Sequence, residues 1–226
     1  MWKEMSQDEL KSECDSIGKI LSRLNGEYGE RAIDFIPLIK LASQLKGAKS
    51  FFKDALGFYD IRDFVAELRF VLYFHNADCI VEFVPRSKET TPDLFVTNSE
   101  FRGFVEVKHI HKKHNGPRGL QSKDSVPLEK FEEYGIYARD EKYCRGEIIG
   151  GFKQLRNFSG LKKTDWMIVA VWNTDEDLDE IDMESSLNQL IKEESEFENM
   201  PNPKCIVYSS DWYSIRKQTQ FHVFRF

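Results

Sequence analysis

The stretch TPDLFVTNSEFRGFVEVKHI, residues 91–110, decides the fold. Two apolar runs, Asp93 to Val96 and Phe104 to Ile110, flank a polar segment containing Asn98, Ser99 and Gly103. Rich in Phe and Val and bounded by turn formers, each run reads as a β-strand. Side chains alternate along a strand, so Glu106 and Lys108 share one face while Val105 and Val107 point to the other. A carboxylate and an ammonium thus stand side by side, and Asp93 on the neighbouring strand can bring a second carboxylate close. Two such carboxylates raise each other's pKa unless a cation sits between them. Mg²⁺, with Mn²⁺ as the alternative, suits that place, because it takes oxygen ligands, commonly one or two carboxylates, and keeps several waters.

The flanking sequence extends the pattern. Residues 60–75, DIRDFVAELRFVLYFH, read as a helix apolar over most of its circumference and therefore buried. Glu67 lies within it, and an acid among Phe64, Phe70, Val71 and Phe74 needs a partner or a cation. Cys79 to Val84 is a further strand. Residues 112–130 carry Gly, Pro, Ser and Lys without periodicity, which predicts a long loop. A helix is predicted over about 140–158, with Gln154 in its later turns. WMIVAVW, residues 166–172, is a continuous apolar strand of the kind buried on both faces of a sheet. An acidic helix follows, and Lys204 to Tyr208 and Phe221 to Phe226 close the set as strands. The order predicts an α/β architecture with a mixed β-sheet flanked by helices.

Residues 1–58 read as an N-terminal helical region packed on that core. Leu10, Cys14, Ile17, Leu21 and Leu24 recur at helical spacing, and Asn25-Gly26 reads as the stop. A second helix is expected over 30–46, broken or kinked at Pro37, and a third segment over 49–56.

Composition narrows the class. The chain has 226 residues with 41% hydrophobic content, enough for one sizeable core. No apolar run approaches the roughly 20 residues of a membrane span, and the charged N-terminus does not read as a signal peptide; the expected location is cytoplasmic. Cys14, Cys79, Cys144 and Cys205 stand far apart, which suits reduced thiols and excludes a zinc ribbon. The net charge of −6 hides an asymmetry: residues 175–198 hold eleven Asp or Glu and one Lys, a local charge of −10, so the remainder carries +4. Lys112, Lys113 and Arg118 follow the Glu106–Lys108 strand and are read as contacts to backbone phosphate, which add affinity without sequence information. His109 and His111 are read as sharing the face of Lys108, and with His114 as phosphate contacts or loop residues rather than zinc ligands.

With Pro92-Asp93, Glu106-Val107-Lys108, the Glu67 helix before them and the Gln154 helix after them, the chain resembles the PD-(D/E)xK nuclease superfamily over roughly residues 60–210. The resemblance implies a restriction endonuclease-like fold over 59–226. It assigns metal binding to Asp93 and Glu106, catalysis to Lys108, and completion of the site to Glu67 and Gln154. Phe158, four residues beyond Gln154, stands where many members have Tyr. The implied activity is Mg²⁺-dependent hydrolysis of phosphodiester bonds, in DNA first and RNA second; assembly as a homodimer is left open. The competing reading is a nuclease-like binding or regulatory module without activity. At single residues, Glu106 and Lys108 as a same-face pair on a solvated strand, Asp93 as a turn residue, and Gln154 as an exposed helix residue are the plain alternatives.

Overall fold

The structure is a computed structural model describing residues 7–57, 60–86, 90–110, 136–174, 187, 188, 190, 200–209 and 221–225. It is an α/β fold with a six-stranded mixed sheet between helical layers. The elements are α1 (Gln7–Tyr28), a 3-10 helix (Gly29–Phe35), α2 (Ile36–Ser43), α3 (Ala48–Ala55), α4 (Ile61–Asn76), β1 (Ile80–Phe83), β2 (Leu94–Thr97), β3 (Arg102–Ile110), α5 (Ile136–Arg156), β4 (Trp166–Asn173), β5 (Lys204–Ser209) and β6 (His222–Arg225). The strands lie in chain order. The β1–β2, β2–β3 and β5–β6 pairs are antiparallel, and β3–β4 and β4–β5 are parallel. Parallel neighbours cannot be joined by a tight turn, and α5 belongs to the crossover from β3 to β4.

Two apolar clusters sit on opposite faces of the sheet. Val105, Ile168, Ala170 and Val207 face the helical layer of α1 to α4, through Leu24, Phe52, Phe64 and Phe70. Phe104, Ile110, Val169 and Ile206 face α5, through Cys144, Ile148 and Phe152. This alternation explains why β4, covered on both sides, is a continuous apolar run. The N-terminal helices share a single cluster with α4 and the sheet. Cys79, Cys144 and Cys205 are buried and outside any disulfide. Among the described residues no helix is long and apolar enough to cross a membrane.

Some local expectations change. Helix α1 does not stop at Asn25-Gly26 but continues to Tyr28. Ile20 and Leu24 are fully buried, and packing of that stripe outweighs the roughly 1 kcal/mol disadvantage of one glycine in a helix. The turn comes at Gly29, whose φ of 59° is left-handed. The expected second helix is two elements: a 3-10 turn ends at Phe35, and α2 restarts with Pro37 in its first turn, where no amide hydrogen is needed. Gly47, at φ 85°, begins α3 against Phe83, where a β-carbon would collide with the Phe83 backbone. The loop predicted over 112–130 and most of the acidic helix lie outside the described residues.

Candidate active site

The site forms where β2 ends and β3 continues. Strand β2 pairs with Arg102 to Val105 of β3 and no further, whereas β3 runs beside β4 to Ile110. From Glu106 onward, therefore, the β2-side edge of β3 has no ladder partner in β2. Asp93 stands just before β2. Its backbone N–H donates to Val105 O at 3.0 Å, and its carboxylate Oδ2 accepts the Val107 N–H at 2.8 Å. A side chain thus satisfies an edge amide that would otherwise be left unpaired, and Asp93 is pinned beside Glu106.

Glu106 is 4% exposed. Its Oε1 accepts from Lys108 Nζ at 3.0 Å, while Oε2 is buried with no hydrogen-bond partner among the described residues. The two share a strand face, as the period of two requires. That face is approached closely by α5: a β-carbon on Gly151 would stand 3.0 Å from Val169 Cγ2 and 3.5 Å from Lys108 Cε, so a glycine lets the helix lie against the lysine stem.

Glu67 enters from the other layer. It is 2% exposed on α4, whose start is capped by Asp60 accepting the Arg62 N–H at 2.9 Å. Its partner is Arg86, in the segment joining β1 to β2. Arg86 Nη2 lies 2.9 Å from Glu67 Oε1 and 3.4 Å from Asp93 Oδ1, bridging the two acids.

The electrostatics follow from burial. Desolvation raises all three carboxyls above their ordinary range. Glu67 is held well above it, with Asp93 and Glu106 adding repulsion and Arg86 opposing. Asp93 is raised by burial, against the Val107 N–H, Arg86 and Lys108. Glu106 is pushed up to about 8 by burial and then by Asp93, against Lys108 and Arg86. Burial alone would depress Lys108, but Glu106, Asp93 and Glu147 outweigh it and the ammonium is held above its usual value. A cluster of buried acids short of positive charge is one whose charged form a further cation would favour.

The orphaned Glu106 Oε2 is the observation that bears on a metal. A buried carboxylate oxygen without a donor, beside a second anchored carboxylate, fits a hard cation that accepts one or two carboxylates and completes its shell with water. Asp93 and Glu106 fit as ligands. No group of three or more His, Cys, Asp or Glu among the described residues is placed to hold a metal ion; Arg86 and Lys108 stand among the acids instead.

Of the residues expected at the site, Glu67, Asp93, Glu106 and Lys108 are brought together. Gln154 is placed differently: its Nε2 donates to Thr91 O at 3.4 Å, tying α5 to the segment leading into Asp93. Phe158 packs edge-on against Phe104 at 5.0 Å. Lys112, Lys113 and Arg118 lie outside the described residues, as do His111 and His114. His109 corrects an expectation. Successive strand residues alternate, so it faces away from Lys108. Its ring stacks on Trp172 at 4.8 Å, with Nδ1 3.2 Å from Asp63 Oδ1 and Nε2 2.8 Å from Thr174 Oγ1. Arg86 is the site residue that sequence reasoning missed. The signal was the buried Glu67 itself, which needed a cation that no periodic pattern supplies. An open cavity of ≈ 380 Å³ lies at the other end of the β2–β3 hairpin, between Asn98–Arg102 and Lys162–Trp166, away from the acids.

Compared with known proteins, the chain matches no family model, no curated protein and no solved structure.

Proposed function

We propose that the protein is a Mg²⁺-dependent nuclease of restriction endonuclease-like, PD-(D/E)xK type, hydrolysing phosphodiester bonds in DNA. The observation that carries this reading is the buried Glu106 carboxylate, with one oxygen on Lys108 and the other without a donor, beside an Asp93 fixed to the adjacent backbone. Asp93 and Glu106 would hold the cation, which supplies polarisation of a phosphoryl oxygen and a more acidic water. The chain's own part is positional and electrostatic. Asp93 is oriented by the Val107 N–H, so its carboxylate needs little reorganisation. Lys108, held as an ammonium, offers donors to a phosphate oxygen or an attacking water as negative charge grows. Glu67 and Arg86 fix the inner wall. Gln154 acts through Thr91 on the approach to Asp93.

The test is incubation of supercoiled, linear and single-stranded DNA, and of RNA, with the purified protein in Mg²⁺, Mn²⁺ or EDTA. Cleavage of DNA in either metal and none in EDTA is expected. Asp93→Asn keeps an acceptor for the Val107 N–H while removing the charge, and should fold yet cleave at least about 10²-fold more slowly, as for loss of a group on which the transition state depends. Cleavage of RNA alone would change the substrate. No Mg²⁺ binding and no cleavage of any nucleic acid would leave a nuclease-like binding module.

A further inference from the structure

Arg86 is placed where a divalent ion would compete with it. Its Nη2 reaches Glu67 Oε1 at 2.9 Å and Asp93 Oδ1 at 3.4 Å. The two acid side chains are 3% and 11% exposed, whereas the arginine side chain is 40% exposed. The guanidinium thus inserts Nη2 between buried anions while its side chain as a whole stays partly exposed. Its field acts on all three acids, opposing the rise at Glu67, Asp93 and Glu106 alike. The two contacts are unequal. The Glu67 contact is short and charge-assisted, whereas 3.4 Å is long for such a bond. Asp93 has a second anchor in the Val107 N–H at 2.8 Å, so it keeps its place when the arginine lets go. The weak link of the bridge is therefore on the residue that would ligate a metal.

Resting on the metal site proposed above, we propose that Arg86 is a resident counter-cation: it spans Glu67 and Asp93 in the metal-free protein and yields Asp93 Oδ1 when a divalent ion binds. Buried carboxylates left without any cation are costly, so the arginine keeps the empty cluster assembled. The same charge then opposes an incoming divalent ion, which sets the metal affinity lower than the acids alone would give. Arg86 is a positioning residue in this account, and metal occupancy is the quantity it governs.

The experiment is calorimetric titration of Mg²⁺ into the full chain without nucleic acid, comparing wild type, R86Q and R86K, with unfolding temperatures in EDTA and in saturating Mg²⁺. R86Q removes the charge and is expected to bind Mg²⁺ on the order of ten- to a hundredfold more tightly. It should melt below wild type in EDTA and recover to wild type or above in Mg²⁺. R86Q that folds only with Mg²⁺ agrees with the proposal. Mg²⁺ affinity in R86Q equal to or weaker than wild type overturns it and makes the arginine a strut or an aid to ion binding. Should R86Q fold in neither condition, R86K decides: Nη2 alone meets both acids, and the lysine ammonium ends one bond short of its position and so holds Asp93 less well; affinity no tighter than wild type overturns the proposal. Wild type that binds no Mg²⁺ and cleaves nothing defeats the nuclease reading and this inference together; wild type that binds while R86Q is unchanged defeats this inference alone.

Discussion

Replacing Glu106 with Gln removes an ionisable carboxyl from the acid cluster while keeping an acceptor for Lys108 Nζ, 3.0 Å from Glu106 Oε1. In the metal-free protein the wild-type carboxyl keeps its proton to about 8, against an ordinary 4.5, through burial first and the neighbouring Asp93 second. The unfolded chain gives up that proton near the ordinary value. Between the two the native state therefore binds one proton more, and linkage makes stability fall as pH rises, by about 1.4 kcal/mol per pH unit. The contribution is fully present below 4.5 and gone above about 8. Integrated across the window it reaches at most about 5 kcal/mol. The Gln variant has no proton to hold. In EDTA at about pH 8.5 it should exceed wild type by about 2–4 kcal/mol, the lost ion pair with Lys108 being set against the relief, and near pH 4.5 the two should be alike. Urea unfolding from about pH 5 to about pH 8.5 reads this directly, with the variant's slope shallower by one proton. Parallel stability curves would refute it, because Glu106 would then be charged in the native state throughout.

Two further variants probe the chemistry and the nucleic-acid contact. Lys108→Ala should lower single-turnover cleavage by about 10²- to 10³-fold, with Mg²⁺ affinity level or improved because a neighbouring positive charge is gone; wild-type cleavage would reduce Lys108 to a surface charge. Replacing Lys112, Lys113 and Arg118 together with Ala should weaken binding to all duplex sequences alike and lower the log–log salt slope by about 0.9 per lost phosphate contact; an unchanged slope would place the nucleic acid elsewhere.

What sequence could reveal was whatever depended on local period. Alternation in β3 placed Glu106 and Lys108 together, and the apolar run of β4 announced a strand covered on both sides. The same rule, misapplied by one residue, put His109 on the face of Lys108, when it belongs with Asp63 and Trp172 on the other. Arg86 was hidden for a different reason. It lies between elements, and its meaning comes from a contact with Glu67 nineteen positions away. Gln154 was legible as a helix residue, but its partner is a backbone carbonyl, Thr91 O, and no composition encodes that. The run of α1 past Asn25-Gly26 shows tertiary burial of Leu24 overriding a stop signal that is weak by itself.

The arrangement along β3 has a consequence for how the protein can change. Even-numbered positions, Phe104, Glu106, Lys108 and Ile110, belong to the α5 side, where the proposed chemistry lies; odd-numbered ones, Val105, Val107 and His109, belong to the helical layer opposite. Parity thus divides one strand between two masters. Substitutions at Val105 and Val107 can tune the melting point without replacing a side chain that meets a carboxylate, and substitutions at even positions can alter reactivity without opening the larger core. A trade-off that most folds must settle within single side chains is here settled by the pleat. The two sides meet in the peptide backbone, where the Val107 amide hydrogen is lent to Asp93, and in Arg86, which ties Glu67 of the helical layer to Asp93; a disturbance on the odd side would reach the even one through these.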